Sequence, residues 1–133
     1  MFERIHHVAF VVRDIEQSME QFETNFGMEL ESRDQMSGAF AMDVALYRAG
    51  DNIVELIEPL SEDSWTARVL EEQGEGFFHI AYEVDDIEKR VAELEEKGIR
   101  CKDDEPQEGY DWWVVTLNEE DTLVPMQLVE TYD

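Results

Sequence analysis

"HVAFVVRDIEQ", residues 7–17, returns as "HIAYEVDDIEK" at residues 79–89, and this return decides how the chain is read. Each phrase opens on a histidine, passes through apolar, β-branched and aromatic residues, and closes on Asp-Ile-Glu. The apolar part has the content of a buried strand, and the aspartate stands where a helix needs an N-cap. Two unrelated strand–helix units can share that much. The same 72-residue offset, however, also lays "VELIE" (54–58) over "MQLVE" (126–130). One offset that matches a histidine, a cap and a polar residue in a later strand marks an internal duplication.

Outward from the first phrase, residues 4–12 read as a strand. The stretch "DIEQSMEQFETNFG" reads as a helix capped by Asp14, with Ile15, Met19, Phe22 and Phe26 as its apolar stripe and Gly27 as its stop. Strands are expected near 28–34, 38–48 and 52–58, with "RAGDN" turning the last two and Pro59 closing the run. A linking helix over about 61–74, capped by Ser61 or Asp63 and stopped by Gly74, leads to the second round. That round has a strand at 77–84, a helix ending at Gly98, and strands near 99–103, 111–117 and 123–131. The order is βαβββ twice. A single domain over 1–133 is expected, with module one at about 4–60 and module two at about 75–131.

Composition narrows the function classes. There are 34 acidic residues against 10 basic ones, a net charge of −24, and only three lysines, Lys89, Lys97 and Lys102. Such a surface repels nucleic acid and anionic membrane, both of which demand phosphate neutralisation. The acids are interleaved with periodic apolar residues, and 43% of the chain is hydrophobic, so a folded core is expected rather than a disordered acidic tail. A halophilic protein fits this balance, since molar salt screens the self-repulsion. No apolar run is long enough to span a membrane, and a soluble cytoplasmic protein is expected. Cys101 is the single cysteine, which excludes an internal disulfide and a thiolate metal site.

The duplicated positions carry the chemistry. His7 and Glu55 are 48 residues apart, as are His79 and Gln127. Glu55 and Gln127 are polar groups inside apolar strands, where an unpartnered carboxylate costs several kcal/mol. If the modules pair about a pseudo-twofold axis, His7, Glu55, His79 and Gln127 converge as two imidazoles, a carboxylate and an amide oxygen. That N/O set suits a divalent metal ion such as Co, Mn, Ni, Mg, Fe or Zn. On the strand at 38–48, alternation puts Ala39, Ala41, Asp43, Ala45 and Tyr47 on one face. Phe40, Met42, Val44 and Leu46 take the other, expected to be core beneath a helix. The small-residue face reads as an open cup around Asp43, a candidate general base whose counterpart in the repeat is Val115. His6 reads as a surface or packing histidine.

These residues resemble the vicinal oxygen chelate (glyoxalase/bleomycin resistance/dioxygenase) superfamily, and within it the methylmalonyl-CoA epimerase-like proteins. The likeness is carried by "HHVAFVVRDIE" (6–16), "ELIEPLSEDS" (55–64), "GEGFFHIAYEVDDIE" (74–88) and "DDEP" (103–106), and it covers most of residues 5–106. It implies an α+β, glyoxalase-like fold in which two βαβββ modules form a cupped mixed sheet around a central metal site. It also implies that His7, Glu55, His79 and Gln127 are metal ligands and that Asp43 exchanges a proton. In two places the chain departs from that pattern. The epimerase-like order His/Gln/His/Glu becomes His/Glu/His/Gln, which moves the carboxylate into the first module. Residues 107–125 replace a glycine-rich stretch, and there substrate preference is expected to differ.

The activity so implied is proton abstraction alpha to a carbonyl through a metal-stabilised enolate, with Asp43 and Glu55 as catalytic acids. The substrate is a small molecule, an acyl-CoA by resemblance, and the superfamily's habit of pairing chains implies a homodimer. Two other readings stay open. A glyoxalase I-like, lactoylglutathione lyase-type isomerase would use the same metal set. A non-catalytic antibiotic-binding protein of the same fold would use aromatic walls, for which Tyr47, Tyr110, Trp112 and Trp113 are available. Stoichiometric metal separates the enzymes from the binder.

Overall fold

The computed structural model describes residues 1–38, 41–109 and 111–132. The protein is α+β, and its βαβββ order occurs twice, as the repeat requires. The first round comprises β1 (Arg4–Val11), α1 (Ile15–Glu20), β2 (Leu30–Met36), β3 (Met42–Ala49) and β4 (Asn52–Pro59). A linking helix, α2 (Trp65–Gln73), precedes β5 (Gly76–Glu83), α3 (Ile87–Glu96), β6 (Gln107–Glu108), β7 (Trp112–Thr116) and β8 (Met126–Thr131). No helix among the described residues is long and apolar enough to cross a membrane.

Two compact units divide the chain. The first is Val8–Phe78; the second joins Met1–His7 to His79–Asp133. In the first unit the strand order is β2-β3-β4-β1, and in the second β6-β7-β8-β5 with the start of β1 beside β5. The hairpins are antiparallel, whereas β5 and β8 run parallel.

Each unit buries one sheet face under its own helix. In the first, Val12, Ile15, Met19, Ala45, Tyr47 and Leu56 form a cluster to which Phe10, Phe22, Met28 and Val54 are added. In the second, Val84, Ile87, Leu94, Val115, Leu117 and Leu128 do the same, with Tyr82, Val91 and Ile99. The caps are duplicated. Asp14 accepts from the Gln17 amide and Asp86 from the Lys89 amide. Glu58 in β4 accepts from the Ile15 amide at 2.8 Å, and Glu130 in β8 from the Ile87 amide at 2.8 Å. Every one of these oxygens satisfies a helix-start N–H that has no partner within the helix.

Four local expectations are corrected. A π-turn over Gln21–Asn25 follows α1, so the 3.6-residue period is lost and Phe26 is left largely exposed. Ser64, not Ser61 or Asp63, caps α2, its hydroxyl oxygen accepting from the Ala67 amide. The expected strand at 99–103 is reduced to one bridge between Cys101 and Leu117; β6 pairs with β7 instead, Gln107 opposite Val114. The expected strand at 38–48 begins at Met42, and its Ala39 and Phe40 lie outside the described residues.

Candidate functional site

In the second unit, strand register sorts the faces. Leu128 and Val115 are paired and belong to the core under α3. Gln127 and Thr116 are paired on the opposite face. Ala81 faces Gln127 across β5–β8, so His79, two residues earlier, shares that face. There the Gln127 side-chain amide donates to the Thr116 hydroxyl at 3.4 Å.

His7 and His79 meet, as their duplicated positions require. Both are buried, their Nε2 atoms are 3.1 Å apart, and their rings stand at 75° to each other. Burial, with smaller contributions from the neighbouring His79 and His6, holds the His7 pKa well below the usual imidazole value. Burial likewise lowers that of His79, to about 3. Both rings are therefore neutral at pH 7, the state in which imidazole binds metals. Two nitrogens bound to one ion at about 2.0–2.1 Å stand roughly 2.9–3.4 Å apart for octahedral to tetrahedral angles. The observed separation lies inside that window. The donor pair fits a metal.

Sequence reasoning gave three residues here no part beside the metal set. Of the two readings of His6, surface or packing, the second holds: it is buried, and its Nδ1 lies 2.8 Å from the Nδ1 of His7. The Trp112 ring packs against both imidazoles, with centroids 4.6 Å from His6 and 5.0 Å from His7. Thr116 is the third. A usable signal existed, since antiparallel pairing places Trp112 and Thr116 on the face of Gln127 once that residue anchors the alternation.

In the first unit, Glu55 sits in β4 opposite Leu46, with Ile53 and Ile57 on the same face. It is buried, and burial pushes its pKa up to about 7. Asp43 lies on the other face. Its alternation partners Ala45 and Tyr47 belong to the core under α1. The open cup is thus a helix-covered face, and the expectation is reversed. Ala45 packs in the core under α1 rather than opening onto a ligand.

Asp43 is held as a carboxylate by an ion pair. The Arg33 guanidinium donates to it twice, at 2.9 and 3.2 Å, while reaching Glu16 of α1 at 2.8 Å. The Gln35 side-chain amide adds a bond at 3.5 Å. Burial acts to raise the Asp43 pKa, but the guanidinium outweighs it and holds the carboxyl below its usual range. Arg33 was invisible to a reading confined to one strand, because it reaches Asp43 diagonally across the β2–β3 pair.

Of the four candidate wall aromatics, Tyr47 is fully buried and its hydroxyl donates to Glu23 at 2.7 Å. Trp113 packs edge-on against Tyr132, on the strand face opposite Trp112. Tyr110 lies outside the described residues. Among the described ones, Trp112 is the aromatic that lies against His6 and His7.

Comparison with known proteins bears on these observations. A 34% identical relative, the ethylmalonyl-CoA/methylmalonyl-CoA epimerase of Cereibacter sphaeroides, aligns over 75% of this chain and 75% of its own length. The mitochondrial methylmalonyl-CoA epimerase of Bos taurus is 31% identical over 80% of this chain, which spans 61% of that protein. Among solved structures, a variant of Streptomyces coelicolor methylmalonyl-CoA epimerase in complex with 2-nitronate-propionyl-CoA matches with a TM-score of 0.94 at 26% identity, covering 100% of both chains. The fold is the glyoxalase-like one. Residues 6–116, which include both repeated phrases and the His7–His79 pair, match the family model, and the chain belongs to the glyoxalase/bleomycin resistance protein/dioxygenase superfamily.

Proposed function

We propose that this protein is a metal-dependent epimerase of the methylmalonyl-CoA epimerase type, exchanging the proton alpha to a thioester carbonyl. The observation that carries the reading is the buried, neutral His7–His79 pair, whose Nε2 atoms face each other at 3.1 Å in a chain whose relatives include methylmalonyl-CoA epimerases. In this reading His7, His79 and Gln127 hold a divalent ion together with Glu55. The chemistry of the donors supports it: two neutral imidazoles, an amide, and a carboxylate whose burial calls for a compensating positive charge. Bound there, the ion supplies Lewis-acid stabilisation of the negative charge that develops on the substrate oxygens.

Proton exchange is assigned to Glu55 rather than Asp43. Asp43 is ion-paired with Arg33 beneath α1 and lies on the face of β3 and β4 opposite Glu55. The alpha C–H bond breaks, its electron pair delocalises into the carbonyl as an enolate, and a Glu55 oxygen takes the proton. Return of a proton to the opposite face comes from water. Trp112 supplies an apolar wall that keeps bulk solvent from the imidazoles.

The nucleotide end of an acyl-CoA places a demand on the basic residues. Arg4, Arg33, Arg48, Arg90, Arg100 and Lys102 are each paired with acids inside their own unit. The cavity of about 770 Å³ beside α3 is lined by Asp86, Glu88, Asp103, Asp104 and Glu105, which repel phosphate. Salt that screens these acids is therefore expected to tighten acyl-CoA binding.

The test is direct. Purified protein loaded with Co²⁺ or Mn²⁺ is incubated with methylmalonyl-CoA in deuterium oxide, and incorporation of deuterium at the alpha carbon is followed by mass spectrometry. Exchange that needs metal is expected. Stoichiometric metal without exchange at any salt concentration sinks the epimerase reading, and absence of bound metal sinks the centre itself.

A further inference from the structure

His6 precedes His7 in β1 yet is buried to 3% exposure, with its Nδ1 at 2.8 Å from the Nδ1 of its neighbour. Two imidazole nitrogens at that distance share one proton: one ring donates and the other accepts. On its far side, His7 turns Nε2 toward the Nε2 of His79. A nitrogen that binds a metal must offer its lone pair, so a neutral His7 ligating through Nε2 carries its proton on Nδ1. The acceptor for that proton is the Nδ1 of His6, which then carries its own on Nε2.

We propose that His6 is a positioning residue, fixing the tautomer and aim of His7 so that Nε2 is delivered as a metal ligand, with Trp112 bracing both rings. The inference rests on the metal reading above and deepens it. Trp112 stands edge-on to His6 at 68° and tilted over His7 at 36°. Its backbone carbonyl accepts from the Gly109 amide at 2.7 Å, and a Cβ at position 109 would lie 2.9 Å from the indole Nε1. Gly109 thus clears the space that lets the indole reach the histidines. The adjacent pair His6–His7 at the repeat's opening has no counterpart in the second phrase, where Phe78 precedes His79.

The test reads tautomer and metal affinity rather than turnover. Imidazole ¹⁵N shifts of the metal-free full chain report which nitrogen of His7 is protonated, and Co²⁺ titration reports affinity. Wild type is expected to show His7 protonated on Nδ1. His6→Phe, which fills the space without an acceptor, is expected to weaken Co²⁺ binding about 10–100-fold and to lose that tautomer. His6→Asn, whose Oδ1 lies near the lost Nδ1, is expected to restore both. A wild-type His7 protonated on Nε2, or a His6→Phe variant with unchanged affinity and tautomer, overturns the proposal. Should His6→Phe fail to fold, the wild-type spectrum and His6→Asn still decide it. A wild type that takes up no Co²⁺ overturns the metal reading instead, which the metal-free tautomer keeps distinguishable.

Discussion

The helix-covered faces of the two units are built to one plan and filled differently. Glu58 and Glu130 hold the first amides of α1 and α3 with bonds of the same length and the same 43-residue reach. Ala45 lies opposite Leu56 and Val115 opposite Leu128, and all four are buried. Asp43 and Val115, by contrast, share the 72-residue offset but not the register, Asp43 lying opposite Glu58 and Val115 opposite Leu128, and their chemistry is opposite. Val115 is plain apolar core, whereas Asp43 brings in Arg33, and Arg33 ties β2 and β3 to Glu16 on α1. The duplicated features answer needs of the backbone, which any helix start has. The diverged one is a side-chain solution to the same packing problem. An acid inside an apolar strand is thus no signpost to chemistry until its face is known.

The sharpest way to break this comparison sets the two buried acids of the first unit against each other. Glu55→Gln is expected to slow alpha-proton exchange by at least about 100-fold, the usual worth of a general base. Asp43→Asn is expected to leave exchange within a few-fold of wild type in whatever fraction remains folded. A folded Asp43→Asn protein without exchange would return the catalytic acid to the helix-covered face.

How far the sequence carried the structure follows from the same contrast. Features written into local pattern were legible: the repeat, the caps at Asp14 and Asp86, and the meeting of His7 with His79. The face of β3 was misread because alternation says which residues share a side but not which side the helix takes. Alanine at 45 looked like an opening, although α1 needs a small residue there to approach the sheet. Arg33 and His6 were missed for a different reason. Each acts through a neighbour, one across a strand pair and one along β1, and neither repeats at the 72-residue offset. A search keyed to duplication finds what the two halves share and passes over what only one of them has.

Next in size is an exchange of solutions between the halves. Arg33→Met leaves Asp43 buried at 7% side-chain exposure without its guanidinium and is expected to cost about 3 kcal/mol in urea unfolding. Arg33→Met combined with Asp43→Val puts an apolar side chain like that of Val115 at position 43 and is expected to recover most of that loss. The pH dependence separates the two states. The Asp43 pKa is lowered in the folded protein, so the unfolded chain binds its proton first as pH falls. The stabilisation is present above the ordinary carboxyl value near 3.8 and is lost on the way down to the folded pKa. The double variant has no such dependence at position 43, so its stability relative to wild type should improve from pH 7 to pH 3. An unchanged difference across that range would mean that the Arg33–Asp43 pair carries no net stabilisation.

The smallest effect tests the shared part of the plan. Glu58→Ala and Glu130→Ala each remove one acceptor from a helix start, and each is expected to cost about 1 kcal/mol, the common worth of an N-terminal cap. Ile15 and Ile87, whose amides they hold, are both buried, so water cannot easily replace the lost oxygen. The corresponding Gln substitutions keep a carbonyl acceptor and should restore about half the loss, the remainder being the charge's interaction with the positive helix end. Equal costs in the two units would show that duplication preserved the energetics along with the geometry. A cost at Glu58 well above that at Glu130 would place α1 under heavier demand, and Glu16 of the same helix, which holds Arg33 in place, is where that demand would come from.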